Sequence, residues 1–443
     1  MKLNRMRIVI TSLSVMEIPM RISFYLLLIL TLLSIKCSAA DWPHWRGPNR
    51  NDVTSELSGY TAGAWPLKAP AWQCNIGGTG ETSPIIADGK LYTMGWNNGK
   101  DTVYCISVKD GKTLWRQSYS CPGYARYHYG DEGTYLPGPI STPEYDPQTG
   151  LLYTLSTDGD LNCWDTNKQG EKVWGFNLYD RFKAAQRPST GGEMRDYGYT
   201  TSPLIQGQWL IIEVGAHDGS LMAFDKRTGG NPVGTPIWKS VFADQAGHSG
   251  GLVPLTIAGI PCVAVLTLHN LLIVRIDPAH AGQTMTTYPF SALYGANMVT
   301  PVFDGDLAVL STVHGRSDDL VMIGQNKAVR LSSAPHSEEG TPIFHGGYFY
   351  RGAGWLEKWK LTAAGTRRLW QGENFGGEGC LIMTGDQKLI AIGNSKAALY
   401  TLDGKELSKV DNFPTSWQHP ALAEGHLFCK NHKGDLWCFL LNK

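Results

Sequence analysis

Thr82-Ser83-Pro84-Ile85-Ile86-Ala87-Asp88-Gly89-Lys90-Leu91-Tyr92, continued by Thr102-Val103-Tyr104-Cys105-Ile106 and Asp110-Gly111-Lys112-Thr113-Leu114-Trp115-Arg116, sets out one structural unit. A Ser/Thr-Pro step leads into a short apolar run, then a Gly turn, a second run, a polar turn, a third run, another Gly turn and a run carrying Trp. Apolar runs of this length between Gly and Asp turns predict four short strands joined by hairpins. The unit recurs from Ser141-Thr142-Pro143 to Val173-Trp174 and from Thr201-Ser202-Pro203 to Ile237-Trp238. Looser copies start near Gly250, Val299, Gly340, Glu378 and Gln418.

One such sheet cannot bury both its faces, but sheets stacked radially cover one another. The expected fold is all-β: an eight-bladed β-propeller, with seven blades possible because the fourth and fifth copies are degenerate. A β-sandwich array or a β-helix is the competing architecture, and neither accounts for one further feature. The last copy ends at Leu436-Trp437-Cys438-Phe439-Leu440 without a Trp strand, while an orphan one, Pro70-Ala71-Trp72-Gln73-Cys74, precedes the first copy. The N-terminal strand of the mature chain is therefore expected to complete the last blade and close the ring.

The 443 residues carry no net charge, with 51 Gly and 15 Trp, which suits tight turns and Trp-packed sheets rather than nucleic acid or an acidic membrane surface. Residues 22–35 form an apolar run too short to span a bilayer comfortably, followed by Ser38, Ala39 and Ala40. This is the pattern of an export leader cleaved before Asp41, with translation starting at Met1 or Met20 and an uncleaved anchor as the alternative. Lys36 before Cys37 argues against lipid attachment. The expected organisation is a leader over 1–40, a lead-in over 41–69 and one propeller domain over 70–443, monomeric, in the periplasm or cell envelope or secreted.

Cys105, Cys163, Ala223 and Cys438 share one slot of the repeat. A slot that accepts Ala or Cys calls for a small apolar side chain, so these thiols are expected to be packed rather than bonded. Cys74 beside Cys438 is the pair left open for a ring-closing disulfide.

Loops entering innermost strands and loops between second and third strands share one face of a propeller. On this face the sequence places Glu81, His128, Arg195, Tyr199, His217, His248, His269, Asn297, His314, Glu339, Glu378 and His419, with His336 and His432 nearby. Aromatic, Gly-rich insertions around Tyr127 and Tyr197 emerge there too. Polar and aromatic groups at a channel mouth suit a ligand or partner. No His-x3-His or Cys-x2-Cys spacing indicates zinc, and Asp158-Gly159-Asp160 is a hairpin turn.

The repeat, with its Ser-Pro, Asp-Gly-Lys-Leu-Tyr, Tyr-Cys-Ile and Asp-Gly-Lys-Thr-Leu-Trp pieces, resembles that of pyrroloquinoline-quinone (PQQ) type propellers. Asp41-Trp42-Pro43-His44-Trp45-Arg46-Gly47-Pro48 looks like the opening of exported PQQ-like repeat proteins of planctomycete-type bacteria. The resemblance covers most of residues 41–443. It implies either a cofactor-free scaffold, as in an outer-membrane assembly lipoprotein, or a quinoprotein alcohol or sugar dehydrogenase holding PQQ beside calcium. For the enzyme, Glu81, Asp196, Asp218 or Glu378 would act as base, and Arg195 or Arg316 would hold the quinone carboxylates. The chain lacks that enzyme's adjacent Cys-Cys pair and any Cys-x-x-Cys-His haem motif. The expected function is thus a non-catalytic binding or scaffold module for an envelope protein, peptide or carbohydrate, with no cofactor and no nucleic acid.

Overall fold

Blade 1 comprises the antiparallel strands Ile85–Ala87, Lys90–Asn97, Lys100–Ser107 and Thr113–Ser120, running in chain order from the innermost outward. The computed structural model describes residues 40–441, apart from 62, 123–137, 186–197, 296, 314–316 and 416. The described residues form eight four-stranded sheets of this kind. The remaining innermost strands are Glu144–Asp146, Leu204–Gln206, Val253–Ile257, Val302–Asp304, Ile343–His345, Cys380–Met383 and Ala421–Ala423. Middle strands are buried on both faces, as Leu151–Leu155 shows, because each sheet is covered by a neighbour.

Ring closure follows the predicted route. Trp72–Asn75 pairs antiparallel with Asp435–Leu440 and becomes the outermost strand of blade 8, with Trp72 opposite Cys438 and Gln73 opposite Trp437. The Trp of this strand also explains the Gly turn of the repeat. Gly111, at a φ of 69°, lies under the Trp72 indole, and a Cβ there would come within 2.7 Å of the ring. Trp72 Nε1 donates to the Val108 carbonyl at 2.6 Å. Trp115 over Gly170, Trp174 over Gly229, Trp238 by Gly282 and Trp370 over Gly404 repeat this seam. In these five blades the outer Trp packs on the next blade's last turn; the ring adds apolar area, and for Trp72 and Trp370 the indole N–H is also satisfied, by the Val108 and Leu402 carbonyls.

The shared cysteine slot has a structural meaning. Cys105, Cys163, Ala223 and Cys438 each lie directly opposite the outer-strand Trp of their blade. A small residue leaves room for the indole. All eight described cysteines are free thiols. The Cys74–Cys438 bond does not form, because register places Cys74 opposite Leu436 and Trp72 opposite Cys438. Replacing Cys163 with Ser is expected to cost about 1–2 kcal/mol, since a hydroxyl replaces an apolar filler in a fully buried slot. Cys163→Ala should cost less than about 1 kcal/mol. Urea unfolding of the two variants measures the order.

Candidate functional site

The Ser/Thr before each repeat's Pro has a structural role at the channel wall. The Ser83 N–H donates to Thr142 Oγ1 at 3.1 Å and the Thr142 N–H to Ser202 Oγ at 3.0 Å. Thr300 N–H donates to Thr341 Oγ1 at 3.3 Å. These hydroxyls tie innermost strands of neighbouring blades around the channel. Blade 8 carries His419 in the same slot, before Pro420, so an imidazole faces the channel where blades 1, 2, 3, 5 and 6 carry hydroxyls.

The lead-in runs inside the ring rather than beside it. Trp42 pairs with Ile86 of blade 1, and the Tyr145 N–H of blade 2 donates to the Pro43 carbonyl at 3.2 Å. Arg46 Nη2 donates to the Pro342 carbonyl of blade 6 at 2.7 Å. Thr54 and Asp52 bond the backbone of Met383 in blade 7. Two buried ion clusters anchor it. Arg46 pairs with Asp52, both at most 2% exposed, and His419 approaches the same carboxylate at 3.4 Å. Arg50 pairs with the fully buried Glu144, which His44 Nδ1 also meets at 3.1 Å. Burial alone would raise both carboxyls, but Arg46 with His419 holds Asp52 below its ordinary value, and Arg50 with His44 does the same for Glu144.

Trp45 is the tip of this segment. Its ring meets His419 edge-on at 4.5 Å and packs on Gly250 and Gly251 of blade 4. A Cβ at Gly250 would come within 2.7 Å of the indole. The fourth copy's degenerate Gly-Gly start is therefore the seat of Trp45. Beside it lies a cavity of about 100 Å³ lined by Trp45, Glu81, His248, Glu339, Glu378 and His419, together with Thr142, Thr200, Met298, Thr341, Cys380 and Trp417.

Of the residues expected at the mouth, Glu81, His248, Glu339, Glu378 and His419 are thus brought together. Thr415 donates to Glu378 Oε1 at 3.3 Å, and the carboxylates of Glu338 and Glu339 lie against Gly377. His128, Arg195 and His314, with the insertions around Tyr127 and Tyr197, lie outside the described residues. The other four do not reach the cavity. His217 is exposed, and His269 is exposed with Nδ1 on Asp244 at 2.7 Å. Turns between second and third strands sit one strand farther from the axis, so their side chains leave the channel. Tyr199 is buried and donates to the Val214 carbonyl at 2.8 Å. Asn297 is buried with its amide on the Thr267 carbonyl. These two satisfy loop backbone. The expected crowd of histidines therefore reduces, among the described residues, to His248 and His419 at the cavity. Asp218 is half-exposed and paired with Lys239.

Sequence reasoning missed Trp45, Met298, Trp417 and Lys430. Trp45 stood only within the opening stretch that carries the family resemblance, with no role read for it. Lys430 lies behind Glu81, 2% exposed, with Nζ donating to the Gly80 carbonyl at 2.7 Å. Burial lowers it to about 7 although Glu81 opposes the shift.

PQQ is a tricarboxylate and requires cationic partners and a cation at its carbonyl. The described lining contains three glutamates and no arginine or lysine. Among the described residues, no three His, Cys, Asp or Glu side chains converge as a metal site. Nor does a cavity this small match the several hundred Å³ typical of cofactor pockets. The described residues do not fit the quinone.

No protein-family model and no curated protein matches this chain. Solved structures do. BamB from Moraxella catarrhalis superposes with a TM-score of 0.54 at 11% identity, covering 84% of this chain and 99% of that one. A europium-containing methanol dehydrogenase gives 0.55 at 12%, covering 90% and 89%. The computationally designed Ika8 protein gives 0.54 at 9%, covering 85% and 100%. Identities this low speak for fold and not for activity. With eight four-stranded blades, five of them led by Ser/Thr-Pro, and a closing N-terminal strand, the described chain is an eight-bladed β-propeller similar in fold to BamB and to the methanol dehydrogenase.

Proposed function

We propose that the protein is an exported, non-catalytic binding module that takes a protruding group of an envelope protein, peptide or carbohydrate into the channel-mouth cavity. The observation that carries this reading is the cavity beside Trp45, where Glu81, Glu339 and Glu378 meet two imidazoles and the indoles of Trp45 and Trp417. Its volume of about 100 Å³ suits one side chain or a small polar group. Rigid blades hold such a site while loops around it vary. Aromatic rings set among acids favour ligands with an apolar body and hydrogen-bond donors or positive charge. No described helix is long and apolar enough to cross a membrane, and the BamB likeness is compatible with a propeller that works by contact with other proteins.

A thermal-shift screen of the mature chain against short peptides and oligosaccharides tests this. A ligand that stabilises the wild type should bind at least about tenfold more weakly to Glu378→Gln and to Met298→Trp, a loss of roughly 1.4 kcal/mol. A ligand indifferent to both substitutions would place the site elsewhere. Bound PQQ with calcium-dependent alcohol oxidation would replace the reading by the enzyme.

A further inference from the structure

The seam between blades 8 and 1 holds a second polar cluster besides the ion pairs of the lead-in. The Ala40 N–H donates to Glu56 Oε1. Glu56 is 7% exposed, and its other oxygen accepts from the Gly425 N–H at 2.8 Å. Glu424 accepts from the Gly89 N–H at 2.8 Å, and its own N–H faces the Ala40 carbonyl at 3.4 Å. Asp88 accepts from the Tyr145 hydroxyl at 3.0 Å. Asp41 lies among these acids. Its carboxyl is pushed up by burial, by Asp88, and by Glu424 and Glu56, and none of its strongest influences is a lysine, arginine or histidine.

Four carboxylates thus share a half-buried seam held by neutral donors. An amide N–H satisfies one lone pair but leaves the charge. The missing component is a cation, and the nitrogen already seated on Glu56 stands where the sequence places small residues after an apolar leader core. Cleavage there turns a chain amide into a primary ammonium with three donors.

We propose that the mature chain starts at Ala40 and that its free α-ammonium is the counter-ion of the Glu56, Asp88 and Glu424 nest. The ion pair lies where the ring closes, so maturation stabilises the seam between the last blade and the first. It rests on the export reading, with the leader cut after Ala39, one residue earlier than the small-residue pattern alone suggests. An amine gaining carboxylate partners has its folded pKa raised above the ordinary value of about 8. Its stabilisation is therefore complete below about pH 8 and lost as pH rises through the raised value.

The test has two arms. Intact mass of the exported protein gives the first residue. A start at Ala40 supports the premise, and a retained leader or a start elsewhere, Asp41 included, overturns it. In the second arm, a chain released from a fusion to begin at Ala40 is compared with the same chain extended by Ser-Gly-Ser-Gly. The extension should lower Tm by about 2 °C at pH 7, with no difference at pH 10 and none in a Glu424→Gln background. Glu424 is only partly buried, so this variant is expected to fold; Glu56→Gln repeats the measurement on the buried acid. Equal melting at pH 7, or a difference that persists at pH 10 or in Glu424→Gln, overturns the ion pair even if the leader is cleaved.

Discussion

Asp52→Ala is expected to destabilise the folded chain by about 3–5 kcal/mol, because it strands a buried guanidinium. Arg46 would keep only the Pro342 carbonyl, and it is 2% exposed, so solvent cannot replace the lost carboxylate. His419 would lose the same partner and with it the contact that fixes its ring against Trp45. The damage should therefore extend from the lead-in to the cavity, weakening any channel-mouth ligand as well as stability. Wild type should show the matching pH dependence. Asp52 is held below its ordinary value, so its contribution is full above about pH 4 and disappears as pH falls through the lower folded value. The Arg46→Met, Asp52→Leu double variant removes both charges and should recover most of the loss. Urea unfolding of wild type and the two variants decides the matter. A single-variant loss under about 1 kcal/mol would mean that the lead-in is not held by this pair.

The sequence stated the fold through a few local rules repeated around a circle. Ser-Pro, Asp-Gly and outer-strand Trp each act within one blade or on the next one, so their spacing alone specified sheet, seam and closure. Trp72 opposite Cys438 is the strongest case, since an orphan strand at one end of the chain implied its partner at the other. The site was legible only where the same local logic applied. His248, Glu378 and His419 sit just before or at the start of innermost strands, and geometry carries such positions to the axis. His217 and His269 were misplaced because sharing a face is not sharing a radius. Trp45 was invisible because no repeat governs the lead-in. Its position depends on long-range pairs such as Arg50 with Glu144 and on the Gly250-Gly251 seat, and nothing in the spacing of those residues announces a meeting. The channel's chemistry is thus set partly by a segment outside the repeat, which is why blade-by-blade reasoning recovered its rim and not its floor.

Asp101→Asn is expected to stabilise the chain, and by more as the pH rises. Asp101 lies in the seam of blades 1 and 2, 1% exposed, with Oδ2 accepting from the Tyr119 hydroxyl at 3.2 Å and Oδ1 without a hydrogen-bond partner. Burial raises its carboxyl to about 7, and Asp158 and Asp160 push in the same direction, against the opposing influence of Cys121 and Tyr119. Because the folded value lies above the unfolded one, the folded chain binds the proton more tightly. Raising pH from about 4 therefore costs stability progressively until Asp101 ionises in place near pH 7, where the cost levels off. An amide copies the protonated acid in shape and keeps an oxygen for Tyr119, but carries no charge to desolvate. The gain should be close to zero at pH 4 and reach roughly 2–4 kcal/mol above pH 7. Melting curves of wild type and Asp101→Asn between pH 4 and pH 8 test this directly. A gap that widens with pH is the expected result. A constant gap would mean that the carboxyl stays ionised throughout, and the acids of this seam would then have to be neutralised by a partner of their own.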